Sequence, residues 1–324
     1  MNALTNRRGV TPVRSAPVRS APFRATLAAL GTLVYAVTVC AVTGFAHDAV
    51  PWTANPQRVE QLSARAGFNY REANVPDYEL PDPLTMNDST QVATAPQWTN
   101  QRRGEVLELF RDQVYGRRPQ TPYELRFETV AELPDAFAGL ATGRSMKAIV
   151  TIEDRVFEFP FVLFTPNHTQ GKTPAVIAIN NRYAIPLEKA VAEADPFWPV
   201  KTMLERGYAA ATFYTSDVDP DDKHGYAAGI RSFFADGQAP VDDAWRSLSA
   251  WGWGASRILD HFANVPSIDV TRVAVVGHSR GGKAALWCAA EDTRFAAAYS
   301  NNSGCGGAAL SRRAYGETVD RKSV

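Results

Sequence analysis

The apolar positions of this chain change period as it runs, and the changes outline its elements. Val106, Leu107, Phe110 and Val114 recur at helical spacing and predict a helix over 99–115, ended by Gly116 and Pro119. From 123 to 166 the pattern turns to β-branched and aromatic runs, clearest at 148–152 and 159–164. These predict antiparallel strands at one edge of a sheet. Residues 174–179 form a short apolar run of the kind seen in buried parallel strands. A helix near 200–206 and a strand over 209–214 follow. Trp245, Leu248, Gly252, Ala255, Leu259 and Phe262 fall at three-four spacing and predict a long helix closed by Pro266. Next come a strand over 272–276, a helix over 283–290 and a strand over 295–299. Strands that alternate with helices imply an α/β fold, with a mostly parallel sheet covered by helices on both faces. This domain is expected over 98–324. Before it, Pro51, Pro56, Pro76, Pro81, Pro83 and Pro96 interrupt any long element, so 47–97 reads as an irregular arm.

The first 46 residues carry a different pattern. Arg7, Arg8, Arg14, Arg19 and Arg24 form a basic region, and 25–45 has no charged residue. Gly44-Phe45-Ala46 supplies a small-x-small cleavage site, so 1–46 reads as an export signal. The uncharged run is also long enough for an uncleaved anchor, the one way in which a membrane enters this reading. The mature protein is expected to be secreted or periplasmic.

Composition narrows the partners. Lys+Arg and Asp+Glu both total 34, which offers a nucleic acid no electrostatic footing. Of the three cysteines, Cys40 lies in the leader. Cys288 and Cys305 make neither a disulfide framework nor a zinc pattern and are expected as buried thiols.

The candidate chemistry sits at Gly277-His278-Ser279-Arg280-Gly281, a G-x-S-x-G pattern between a predicted strand and a predicted helix. That setting is what a nucleophile elbow requires: a sharp turn that lifts the serine hydroxyl above the sheet, with the next backbone N–H facing an oxyanion. A second donor is expected from the loop after 174–179, around Asn180, Asn181 and Arg182. The same stretch also matches most of a phosphate-binding G-x-x-x-x-G-K-[ST] loop, but its last position is Ala284, which cannot hold magnesium. Asp217, Asp219, Asp221 and Asp222 form an acidic loop before His224. It lacks the glycine and distal glutamate of a calcium hand and reads as a solvated loop.

Over residues 81–320 the chain resembles the glucuronoyl esterases, carbohydrate esterase family 15, in their bacterial form. The resemblance rests on Gly277-His278-Ser279-Arg280-Gly281-Gly282-Lys283 and on the block from Ser303-Gly304-Cys305-Gly306-Gly307 to Leu310-Ser311-Arg312-Arg313. Trp251-Gly252-Trp253-Gly254, Leu107-Glu108-Leu109-Phe110 and Val114-Tyr115-Gly116 add to it. It implies an α/β-hydrolase fold and cleavage of glucuronate esters that link xylan to lignin alcohols, without cofactor or metal. It implies Ser279 as nucleophile, Arg280 as oxyanion support, and Lys283 and Glu317 as sugar contacts. Ordinary surface charge is the alternative for the last two.

Two departures stand out. Some family members place the catalytic acid just before the Ser-Gly of the second block, where this chain has Asn302. The family's catalytic histidine lies near the C-terminus and no residue here matches it, and the ending Asp-Arg-Lys-Ser-Val does not read as a completed fold. The expectation is an α/β-hydrolase lacking its last strands and, without the histidine, inactive or nearly so. His278, His261 and His168 read as structural, and His47 sits at the processing site. Two other readings stay open: an acetyl xylan esterase, and a non-catalytic carbohydrate-binding remnant.

Overall fold

Successive side chains of a strand point to opposite faces, so a strand apolar on both faces belongs inside a sheet with a core on each side. The computed structural model describes residues 53–64, 68–222 and 228–317. The elements below belong to the unit that begins at Ala54. Its strands are β1 (Phe68–Asn69), β2 (Glu124–Asp135), β3 (Ala141–Ile152), β4 (Arg155–Pro166), β5 (Thr173–Asn180), β6 (Ala209–Tyr214), β7 (Ile268–His278), β8 (Ala297–Asn301) and β9 (Gly316–Glu317). Its principal helices are α1 (Pro56–Ser63), α2 (Arg103–Phe110), α3 (Leu187–Ala192), α4 (Val200–Glu205), α5 (Gly229–Ala235), α6 (Ser247–Phe262) and α7 (Arg280–Glu291).

Seven strands form one sheet in the order β2-β3-β4-β6-β5-β7-β8. The short turns after β2 and β3 allow only hairpins, so β2, β3 and β4 run antiparallel, and β4 is antiparallel to β6. Crossovers through helices make β6, β5, β7 and β8 parallel to one another. The expectation of a parallel sheet therefore holds for the half that carries the motif, and the sheet as a whole is mixed.

The pleat sorts the core. Phe159, Phe161 and Leu163 of β4, Ala209, Ala211 and Phe213 of β6, and Ala175, Ile177 and Ile179 of β5 face one core, shared with α6 and α7. Val162, Phe164 and Ala210 face the other, shared with Leu187, Trp198 and Leu204. Helix α6 buries 12 of its 16 residues, so it is a core helix rather than an amphipathic cover. Cys288, on α7, and Cys305 are free buried thiols. Burial pushes the Cys288 thiol up to about 12.

The parallel register aligns the strand ends that matter. Asn180 stands opposite Tyr214, Ile179 opposite Gly277, and His278 opposite Asn301. One edge of the sheet thus gathers the elbow and the loops after β5, β6 and β8, the edge where open α/β sheets bind ligands.

Within 53–97, α1 starts on Asn55, whose side chain accepts from the Gln57 and Arg58 N–H groups at 2.9 and 3.2 Å. Strand β1 pairs antiparallel with β9. The leader expected over 1–46 lies outside the described residues. Among the described residues no helix is long and apolar enough to cross a membrane.

Candidate active site

Strand β7 ends at His278 and α7 begins at Arg280, leaving Ser279 alone to make the turn. Its backbone sits at φ 55° and ψ −120°, a conformation that costs an ordinary residue of order 1–3 kcal/mol. The neighbours explain how the strain is held. A Cβ on Gly277 would collide with the backbone carbonyl of Gly281, and one on Gly281 would stand 2.7 Å from the Ile179 carbonyl oxygen. Two residues without side chains let strand, turn and helix close on one another. The Ser279 N–H donates to the Asn301 carbonyl at 2.9 Å, and the Lys283 N–H returns to the Ser279 carbonyl at 3.1 Å. The sharp strand–turn–helix expected from the sequence is present in this backbone, with Ser279 at its turn.

Arg280 occupies the first position of α7, where a backbone N–H has no partner within the helix. Its guanidinium meets Asp221. Nη1 donates to Oδ1 at 2.8 Å, and Nη2 lies 2.8 Å from Oδ2. The acidic loop is therefore not simply solvated. Asp219 is fully buried and takes 2.8 Å contacts from Arg231 Nε and Nη2. The Asp219 carbonyl also accepts from Trp251 Nε1 at 2.8 Å. Burial pushes the Asp219 carboxyl up, with the Arg231 guanidinium opposing, and burial pushes Asp217 up as well. The sequence shows four closely spaced aspartates but not the partners that fold brings to them from α5, α6 and α7. His224 lies outside the described residues. Among the described residues no three His, Cys, Asp or Glu side chains gather where a metal could bind.

The loop after β5 carries Asn180, Asn181 and Arg182, the residues around which a second oxyanion donor is expected. Asn180 is buried and spends its side chain locally: Nδ2 donates to the Tyr183 carbonyl and Oδ1 accepts from the Arg182 N–H, each at 2.9 Å. Asn181 is left facing the elbow, with a buried Oδ1 that has no hydrogen-bond partner, near where a Gly281 side chain would be. Arg182 stacks its guanidinium 5.3 Å from the Phe197 ring.

Lys283 departs from the picture of an exposed, sugar-facing amine. It is 2% exposed, and its ammonium donates to the Cys305 carbonyl. The reason is local: the first turns of α7 lie beneath the loop that follows β8, and that loop needs internal donors. Tyr115 helps, its hydroxyl donating to the Gly306 carbonyl at 2.9 Å while its ring stacks on Trp287 at 4.5 Å. Ser303 Oγ accepts from the Ala308 N–H at 2.9 Å. Asn302 is exposed, at φ 47°. Glu317 ends β9, so the β1–β9 pairing sets its backbone; its side chain lies outside what is described.

No described histidine serves Ser279. His278 Nδ1 is 3.3 Å from Asn301 Nδ2, and its ring meets Phe197 edge-on. His261 packs between Phe127 and Phe161, with ring centroids at 4.8 and 5.6 Å. Burial first, then Arg144, holds its pKa below the usual range. His168 follows β4, whose end aligns with the start of β6, so it sits at the opposite edge of the sheet from Ser279.

Residues 149–323 match the family model for fungal glucuronyl esterases. A protein named a carbohydrate esterase, from an unknown prokaryotic organism, is 38% identical over 83% of this chain and 68% of its own length. A 4-O-methyl-glucuronoyl methylesterase from Schizophyllum commune is 29% identical over 72% of this chain and 52% of its own length. The solved glucuronoyl esterase from Solibacter usitatus superposes with a TM-score of 0.68 at 32% identity, over 75% of this chain and 68% of that one. This chain thus spans between about half and two thirds of the length of these relatives.

Proposed function

The chain belongs to the glucuronoyl esterase family, carbohydrate esterase family 15, and on that premise we propose that it hydrolyses esters of glucuronic acid on xylan, including those to lignin alcohols. The observation that carries this reading is Ser279 held at φ 55° between β7 and α7, with Arg280 next in the chain at the first position of α7.

In the proposed reaction Ser279 Oγ attacks the ester carbonyl carbon, and its proton passes to a histidine, a role that no described residue of this chain fills. The carbonyl oxygen takes up the negative charge and meets the Arg280 N–H and guanidinium, with a backbone N–H of the loop after β5, at Asn181, as the second donor. Collapse breaks the bond to the alcohol, which leaves with the proton from the histidine. Water then attacks the acyl-enzyme, gives its proton to the same base, and releases the uronic acid as Ser279 recovers its proton. Without such a base, an elbow and oxyanion hole retain only about 10³–10⁴ over water. No step needs a metal or a cofactor.

Lys283 has a proposed role at the floor of the sugar site, where it braces the loop after β8. Glu317 is the proposed sugar-contacting carboxylate. Export by the 1–46 segment would deliver the enzyme to where plant polysaccharide is met.

The rival substrate is acetylated xylan. Rates on benzyl glucuronate and on an acetylated xylose at equal concentration separate the two. The uronate ester is expected to be cleaved at least about tenfold faster, the scale of one lost charge-assisted contact. Faster release of acetate would move the assignment to an acetyl esterase.

A further inference from the structure

We propose that Asp221 is a positioning residue for Arg280, holding the guanidinium in the one orientation that leaves a two-donor edge free at the elbow. The catalytic consequence rests on the ester-hydrolase reading above; the geometry does not.

Asp221 meets the end of the guanidinium, with Nη1 on Oδ1 and Nη2 on Oδ2, both at 2.8 Å. A guanidinium carries five N–H donors in a fixed plane. An end-on carboxylate uses one from each terminal nitrogen. The Nε–H and a neighbouring Nη–H remain, side by side on the lateral edge, as a second fork suited to an oxygen that is gaining charge. A free arginine side chain samples many rotamers, so an untethered Arg280 would present that fork only part of the time. A donor fixed before the charge develops is worth more than one that must reorganise.

Asp221 is itself held from behind. Two residues earlier, Asp219 is locked by Arg231 and by Trp251 Nε1, both within the core. The loop's position is therefore set by Asp219, and Asp221 is spare for Arg280. Its loss should leave the fold intact. Asp221 and Arg280 are half-exposed, at 31% and 39% for their side chains, so the pair contributes little to stability by itself. That is the reason to look for its value in orientation.

The first test needs no turnover. In the full chain labelled with ¹⁵N-arginine, the Arg280 Nε–Hε resonance is assigned by its loss in Arg280→Lys. In Asp221→Asn it is expected to shift and to exchange faster with solvent, and in Asp221→Glu to return part of the way, with the thermal midpoint unchanged. An Arg280 signal indifferent to Asp221→Asn overturns the assignment.

The second test is kinetic, on a methyl glucuronate ester. Asp221→Asn is expected to lower kcat by about 10- to 100-fold with KM within about twofold, and to add no loss in an Arg280→Ala background. An unchanged or raised kcat, or an additive loss in the double variant, contradicts a positioning role. If the unmodified chain fails to cleave the ester even with added imidazole, the ester reading falls while the resonance still decides the Asp221–Arg280 claim.

Discussion

At the scale of single residues, the site is a problem of space before it is one of charge. Ser279 can hold φ 55° only because Gly277 and Gly281 leave room for backbone to pass backbone. Gly277→Ala should therefore cost more than a surface change. Its methyl would meet the Gly281 carbonyl, which is backbone and cannot rotate away. A loss of about 1–3 kcal/mol in urea unfolding is expected, on the scale of overpacking. An unchanged midpoint would mean that the elbow is looser than described. Ser279, Arg280 and both glycines were legible in the sequence because the motif is local. Lys283 was legible as a residue but not as a buried one, since its partner, the Cys305 carbonyl, belongs to a loop beyond β8. Asn180, Asn181 and Arg182 were equal candidates for a second donor in the sequence, which does not show that the Arg182 N–H is spent on Asn180 Oδ1.

At the scale of elements, periodicity located most of the frame. The helix expected over 99–115 runs from Trp98 to Tyr115, although turns wider than α flank its middle. Helix α6 begins at Ser247 and ends at Phe262, close to its apolar stripe. Strand β8 starts at Ala297, because Phe295 is spent in the turn before it as a core side chain. The acidic loop after β6 was misread as solvated. Charge in a sequence carries no sign of burial when the countercharge comes from another element, here Arg231 on α5. That buried pair gives a second prediction. Asp219→Asn keeps the shape, removes the carboxylate charge facing Arg231 and loosens the loop that carries Asp221. Removing one partner of such a pair costs about 3–5 kcal/mol, readable as a lowered urea midpoint. A loss below about 1 kcal/mol would mean that water already screens the pair.

At the scale of the whole molecule, the parallel half of the sheet gathers the loops, the antiparallel half widens it, and a core lies on each face. Ionisation of the folded state sets a direction for stability against pH. Hydrogen bonds from the Thr271 hydroxyl, then Arg272, hold Asp269 down to about 2, and Arg117, then Arg111, lower Glu108. Such carboxylates lend stability above the ordinary carboxylate range and lose it as pH falls through their folded values. Burial keeps His261 neutral, so the unfolded chain takes up its proton first and stability falls as pH drops below about 6.5. Asp217 and Asp219, raised by burial, act in the opposite sense: their share is present at low pH and lost as pH rises, so they blunt the acid loss. The thermal midpoint should fall steadily from about pH 7 to about pH 3. A midpoint that rises over that range would contradict the balance. The central claim, that Ser279 is the nucleophile of a glucuronate-ester hydrolase, is tested most directly by methanol release from methyl 4-O-methylglucuronate, for the chain and for Ser279→Ala, with and without added imidazole as an external base. The account predicts hydrolysis above background that rises with imidazole and disappears in Ser279→Ala. Equal release by the chain and by Ser279→Ala under every condition would contradict it.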